Sequence, residues 1–300
     1  HKIFKIMKKI YRFFRRIVRK IIKKFKKGIS NLKKFLKPVF KRLDYVLVKI
    51  LYDTHRLHKV FVRRKQKNNN QEKNIMFMIY YLKNGGAERA ISHISEELSK
   101  KYNVILVTVE KEGQSDYECN VKRINLDINK IKYFRHLGLI KQIKKIKKEY
   151  NITHTISFTS LMNYYNVMSE LNDETIISVR NYVSKSKQEK KNEKINKISA
   201  KYAKKMVAVS KLVVQDQVDN YGAKEDKIEV IYNYCDGEKI DKFLEEKNDI
   251  NYDEHTIINV GRLSYQKCHF RLIEAFKKVV DVIPNAKLVI LEIGRASCRE

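Results

Sequence analysis

The chain has 300 residues, 43% of them hydrophobic, and carries 65 Lys and Arg against 34 Asp and Glu, a formal net charge of +31. That length allows one large or two ordinary domains, and the four cysteines (Cys119, Cys235, Cys268, Cys298) lie far apart with no CxxC pair and no His at metal spacing, which speaks for reduced thiols and against a disulfide scaffold. No uncharged apolar run approaches the ~18–20 residues of a spanning helix, and Lys or Arg interrupts every apolar cluster near the start, leaving no signal-peptide core.

The charge is uneven. Residues 1–73 hold 26 Lys and Arg against three acids, Asp44, Asp53 and Glu72, whereas the remainder is only mildly basic. Residues 1–67 read as an amphipathic helical arm: Phe4, Tyr11, Val18, Phe25, Leu32, Val39 and Val46 recur every seven positions, with Lys and Arg opposite. Gly28 and Pro38 divide the arm into two or three helices. Such an arm can lie on an anionic membrane surface, grip nucleic acid through phosphates, or pack as a coiled coil. The near-absence of acids disfavours the coiled coil, and the membrane surface is the preferred reading. Residues 68–73 are a polar linker.

From Asn74 the pattern alternates. An apolar run over Ile75 to Leu82 predicts a strand, followed by Gly85-Gly86 and a helix from Ala87 to Lys100. Strands follow at Val104–Val109 and Val121–Leu126. A helix is predicted over Ile131–Tyr150, with Leu137, Ile140, Ile143 and Ile146 inside and its lysines outside. Then come strand Thr153–Phe158, a helix near Ser160–Glu170, strand Thr175–Val179 ending in Arg180-Asn181, and strand Met206–Val209 with Ser210 as a helix N-cap. Ile228–Tyr232 leads into Asn233-Tyr234-Cys235-Asp236, a hinge. Strands alternating with helices predict a doubly wound parallel sheet. His154, alone at a strand start, reads as structural.

Residues 256–277 repeat the theme: strand Thr256–Val260, Gly261, a loop with Arg262, Gln266 and Lys267, and a helix from His269. Two cations and a helix N-terminus aimed at one spot suit a phosphate or diphosphate, although an ordinary turn with solvated cations fits the same residues.

The segment GRLSYQK resembles the G-R-L-x-x-Q-K-G motif of family 4 glycosyltransferases, and GGAERA resembles the motif after the first strand of those enzymes. Arg180-Asn181, MVAVSK and Asn233 to Asp236 also match family segments, so the resemblance runs from about residue 74 onward. It implies a GT-B fold of two Rossmann-like domains: residues 74–235 as the N-terminal, acceptor-side domain and residues 236–291 as the start of the nucleotide-sugar-binding domain. By resemblance Gly261, Arg262 and Lys267 hold the donor diphosphate, Gly85 and Gly86 form the glycine loop of the cleft, and Arg180 and Asn181 face it. Cys268 departs from the motif, standing where the family has Gly.

No D-x-D triplet or carboxylate–histidine cluster with ligand spacing occurs, so the expected chemistry needs no metal and no cofactor beyond a UDP- or GDP-linked sugar. The leaving diphosphate must then be met by protein cations and helix N-termini. The expectation is a retaining sugar transfer to a lipid-linked or envelope glycan acceptor. The arm would hold the enzyme on the cytoplasmic face of the membrane, with nucleic acid excluded as a partner. A membrane-tethered binding protein that has kept the fold is the alternative. The chain begins with His1 rather than Met, and residues 292–300, EIGRASCRE, resemble a translated sequencing adapter. A C-terminally truncated, inactive piece of a longer protein is therefore expected.

Overall fold

The computed structural model describes residues 39, 43–50, 52–53, 72–83, 85–109, 117–129, 131, 134–186, 192–235, 237–245, 253–261, 263 and 265–292. Most of the predicted arm, linker residues 68–71, Asp236, Arg262 and residues 293–300 lie outside the described residues. The chain divides into two compact units, His1–Tyr234 and Cys235–Glu300.

The first unit is built on a strand whose sequence is apolar on both faces. In β1 (Asn74–Ile79, NIMFMI) every residue after Asn74 is buried. Successive side chains point to opposite faces of a strand, so Met76 and Met78 join one core cluster, and Ile75, Phe77 and Ile79 join another. Continuous burial of this kind marks a parallel strand covered by helices on both sides. The helices are α2 (Gly86–Ser99), α3 (Arg135–Glu149), α4 (Ser160–Met168), α5 (Glu193–Tyr202) and α6 (Lys211–Tyr221). Between them run β2 (Asn103–Thr108), β3 (Lys122–Asn125), β4 (His154–Phe158), β5 (Glu174–Val179), β6 (Lys205–Ala208) and β7 (Ile228–Val230). All pairings are parallel, in the order β3-β2-β1-β4-β5-β6-β7. The winding reverses between β1 and β4, the place where open sheets of this kind bind ligands, outside the carboxyl ends of the strands.

Two findings were not visible in the sequence. Residues 43–50 and 52–53 are helical (α1); Val39 and Val46 of the apolar stripe are exposed, whereas Asp44, Val48 and Tyr52, four apart, are buried. Asp44 is a distant cap. Phe134, at the start of α3, has φ 55° and offers no side-chain cap. Asp44 takes over that role, accepting hydrogen bonds from the backbone N–H groups of His136 (2.7 Å) and Leu137 (3.0 Å). The Tyr45 ring packs 4.4 Å from His136, and the Tyr52 hydroxyl donates to Glu170 Oε2 at 3.2 Å.

The second finding is Lys147, predicted among the outward lysines of α3 but buried. It lies at the i+4 position from the buried Ile143, so the inward stripe is wider than its apolar members. Its Nζ donates to Asp173 Oδ2 at 2.7 Å, Thr155 Oγ1 donates to the same oxygen at 2.7 Å, and Leu171 N–H donates to Oδ1 at 2.9 Å. Burial works to raise the Asp173 pKa, but the charge and hydrogen bond of Lys147 outweigh it and hold the carboxyl below the usual range.

The second unit contains α7 (Gly237–Leu244), then β8 (Thr256–Val260) paired in parallel with β9 (Lys287–Leu291) across the helix α8 (His269–Val280). This strand–helix–strand unit is the one predicted from the change of period at His269. Ser210, the predicted N-cap, accepts a hydrogen bond from Val213 N–H at 3.3 Å.

Candidate functional site

The carboxyl ends of β4 and β5, with the start of α2 and the chain just past β7, surround a pocket of about 210 Å³. Gly86, Arg180, Asn181 and Asn233, four of the residues singled out in the sequence, all line it. They arrive from three separate strand ends. Gly86 begins α2 after β1, Arg180 and Asn181 follow β5, and Asn233 follows β7.

Arg180 is fixed from three sides. Its guanidinium lies 5.1 Å over the Phe158 ring, Nη1 reaches Ser178 Oγ at 3.5 Å, and Nη2 donates to Asn233 Oδ1. Burial pushes its pKa below the usual arginine value, yet a guanidinium stays charged at any pH of interest. No carboxylate forms an ion pair with it among the described residues. Asn233, read from the sequence as part of a hinge, is therefore also the anchor of this cation.

Gly85 has φ −168°, an extended conformation open to any residue. Its constraint is spatial: a Cβ there would sit 2.2 Å from Glu88 Oε2. The Glu88 carboxylate is folded back over the first turn of α2, where an acid suits the helix dipole.

At the end of β4, Thr159 holds φ 74° and ψ 146°, a region that is close to glycine-only and costs about 1–3 kcal/mol. It precedes α4 without capping it, and its Oγ1 is buried with no hydrogen-bond partner. Below it Asn163 ties two strands together, its Nδ2 donating to Ser178 O (3.0 Å) and its Oδ1 accepting from Ser157 Oγ (2.8 Å). The floor of the pocket is reached by Asn196 of α5 and Gln217 of α6. Neither belongs to any motif in the sequence. His154 lies at the opposite end of β4, hydrogen-bonded to Thr153 Oγ1 at 2.9 Å, and takes no part.

In the second unit the motif residues also meet. A Cβ on Gly261 would contact Lys267 Cγ and Cδ at 3.5 Å, so the lysine stem runs alongside the glycine at the carboxyl end of β8. Lys267 closes a 3-10 turn, Tyr265–Lys267, and Cys268 follows with φ 52° and ψ 34° as the residue before α8. The left-handed conformation that makes Gly fitting there is thus adopted by a cysteine. Arg262, the other predicted diphosphate ligand, and Asp236 of the hinge lie outside the described residues. Among the described residues no group of three or more His, Cys, Asp or Glu is placed to hold a metal ion.

Residues 84–239, just over half of the chain, match Glycosyltransferase Family 4. A relative in Campylobacter jejuni, N-acetylgalactosamine-N,N'-diacetylbacillosaminyl-diphospho-undecaprenol 4-alpha-N-acetylgalactosaminyltransferase, is 30% identical over 230 residues, covering 72% of this chain and 61% of its own. An uncharacterized glycosyltransferase of Methanocaldococcus jannaschii is 30% identical over 177 residues, covering 53% of this chain and 43% of its own. The chain thus spans less than two thirds of the length of either relative. Among solved structures, a glycosyltransferase from Rickettsia africae shares 23% identity with TM-score 0.50, covering 74% of this chain and 68% of its own. Sucrose-phosphate synthase from Thermosynechococcus elongatus shares 13% identity with TM-score 0.57, covering 76% of this chain and 64% of its own. At those identities the likeness concerns the fold, which is α/β of GT-B type.

Proposed function

Because the chain belongs to Glycosyltransferase Family 4, we propose that the protein of which it is part transfers a sugar from a nucleoside-diphosphate donor to a lipid-linked or envelope glycan acceptor, with retention of configuration and without a metal. The observation that carries this reading is the contact of Lys267 with Gly261 at the end of β8, within the segment that also supplies Arg262. A cation carried on that stem, beside the start of α8, meets the charge that develops on the departing diphosphate. The acceptor hydroxyl attacks from the face the diphosphate leaves, and the pocket at the ends of β4 and β5 takes the acceptor side.

The acceptor class is supported by the Campylobacter jejuni relative, whose name specifies a diphospho-undecaprenol acceptor. Placement on the cytoplasmic face of a membrane is supported by the basic composition of residues 1–67 and by the exposed Val39, Val46 and Ile50. No described helix is long and apolar enough to cross a membrane. Flotation of the chain on anionic liposomes, lost when residues 1–38 are removed, tests that placement. The transferase reading is tested in the full-length protein. Arg262→Ala and Lys267→Ala each lower donor-dependent turnover by about 10²-fold or more, on the scale of a lost oxyanion donor. Wild-type turnover in both variants sinks it.

A further inference from the structure

We infer that the pocket under Arg180 is an anion site, in which the side-chain amides of Asn196 and Gln217 and the Arg180 guanidinium receive a phosphate or carboxylate group carried by the acceptor. Naming the acceptor as its source rests on the transferase reading; the anion site itself does not.

The starting observation is a pair of stranded donors. Asn196 and Gln217 are 7% and 2% exposed, both line the pocket, and Asn196 Nδ2 and Gln217 Nε2 have no hydrogen-bond partner. A buried amide left unpaired costs about 1–3 kcal/mol, and native interiors seldom tolerate one. Here two amides from different helices border the same cavity. Its volume of about 210 Å³ is well above the roughly 10–15 Å³ that a single water needs.

The chemistry of the lining selects the ligand. Among the described residues that line it, Arg180 is the only ionisable side chain and none carries a carboxylate. Asp216, next to Gln217 in the chain, is committed elsewhere: it accepts from Val183 N–H at 2.8 Å, Ser184 N–H at 3.2 Å and Asn220 Nδ2 at 3.1 Å. The hydroxyls of Thr159, Ser178 and Ser199 on the lining can give or take a hydrogen bond, but the two stranded amide N–H groups and the guanidinium demand an acceptor. An ionised phosphate or carboxylate only accepts.

The test uses isothermal titration of the 300-residue chain with four probes: inorganic pyrophosphate, geranyl phosphate, UDP and, as the neutral control, galactose. Pyrophosphate and geranyl phosphate bind the wild type and galactose does not. Gln217→Leu and Asn196→Leu each weaken both anions at least 10-fold, and Gln217→Glu, of equal size but opposite demand, abolishes their binding. UDP affinity does not change in these variants. Anion affinity unchanged in the variants overturns the site. So does a wild type that binds the two anions no better than galactose, a result independent of how any variant folds. UDP affinity falling in step with that of geranyl phosphate overturns the assignment to the acceptor. In the full-length protein, donor hydrolysis without anion binding defeats this inference alone, and anion binding without donor turnover defeats the transferase reading alone.

Discussion

In the seven-stranded unit Lys147 Nζ lies 2.7 Å from Asp173 Oδ2, with the two side chains each 1% exposed. In the two-stranded unit Lys287 Nζ lies 2.7 Å from Asp253 Oδ2, with side chains 63% and 41% exposed. The bond lengths agree and the consequences do not. An exposed pair exchanges water for a partner of nearly equal worth and is screened by salt. A buried pair has given up its water, so each member depends on the other. The same contrast runs through the apolar residues. Phe77 and Met78 of β1 are wholly buried, whereas Ile257, Ile258 and Val260 of β8, an equally apolar strand, are exposed. A strand buries both faces only where helices cover both, as they do for β1.

The largest expected effect breaks this comparison at the buried pair. Lys147→Met removes the partner of Asp173 and costs about 3–5 kcal/mol of stability. Lys287→Met in the second unit leaves its unfolding midpoint unchanged within error. Urea titrations followed by hydrogen exchange in each unit measure both. Comparable losses at the two sites would show that burial is not what separates them.

Acid sharpens the same point through sign. The folded pKa of Asp173 lies below its ordinary value of 3.8. Its contribution is therefore complete above that value and is lost as pH falls through the lower, folded pKa. Without Lys147, burial raises the folded pKa instead, and the variant gains stability as Asp173 takes up its proton. The penalty of Lys147→Met consequently shrinks as pH falls from neutrality towards 3.8. A pH-independent penalty would assign the loss to packing.

A smaller effect is expected at the junction between α1 and α3. Asp44 performs an N-cap's work from more than 90 positions away in the chain, and Asp44→Ala costs about 1 kcal/mol, the usual loss for a cap. Burial raises its pKa despite the two backbone hydrogen bonds, so Asp44→Asn, which keeps an acceptor and carries no charge, stays close to wild type. Loss of hydrogen-exchange protection at His136 and Leu137 in Asp44→Ala, and its retention in Asp44→Asn, is the local readout.

These positions also show what the sequence could convey. Periodic features were legible: the apolar runs that became β1, β4 and β8, the Gly85-Gly86 turn, and Ser210 at a helix start. Arg180 and Asn181 were visible because a cation and an amide directly follow an apolar strand. Lys147 was misread because an inward lysine has the same spelling as an outward one, and its partner lies 26 residues away. Asp44 hid within a cationic arm where one acid looked incidental. Asn196 and Gln217 sit on helices rich in polar residues, where only the fold distinguishes an amide turned to the pocket from one turned to water.

The smallest expected effect lies in the second unit. Cys268 holds φ 52° and ψ 34°, left-handed angles that cost an L-residue roughly 1–2 kcal/mol. Its thiol is 3.4 Å from Tyr265 O, a weak contact for a sulfur donor. Cys268→Gly relieves the strain but enlarges the freedom of the unfolded chain, which returns about 0.4–1 kcal/mol. The net gain is therefore about 0.5–1 kcal/mol, read as slower exchange of the amides in the first turns of α8. Cys268→Ala keeps the side-chain strain and loses only the thiol contact, so it gains nothing. Equal gains in both variants would place the cost in the sulfur rather than in the backbone, and the left-handed turn before α8 would cease to be a reason for glycine there.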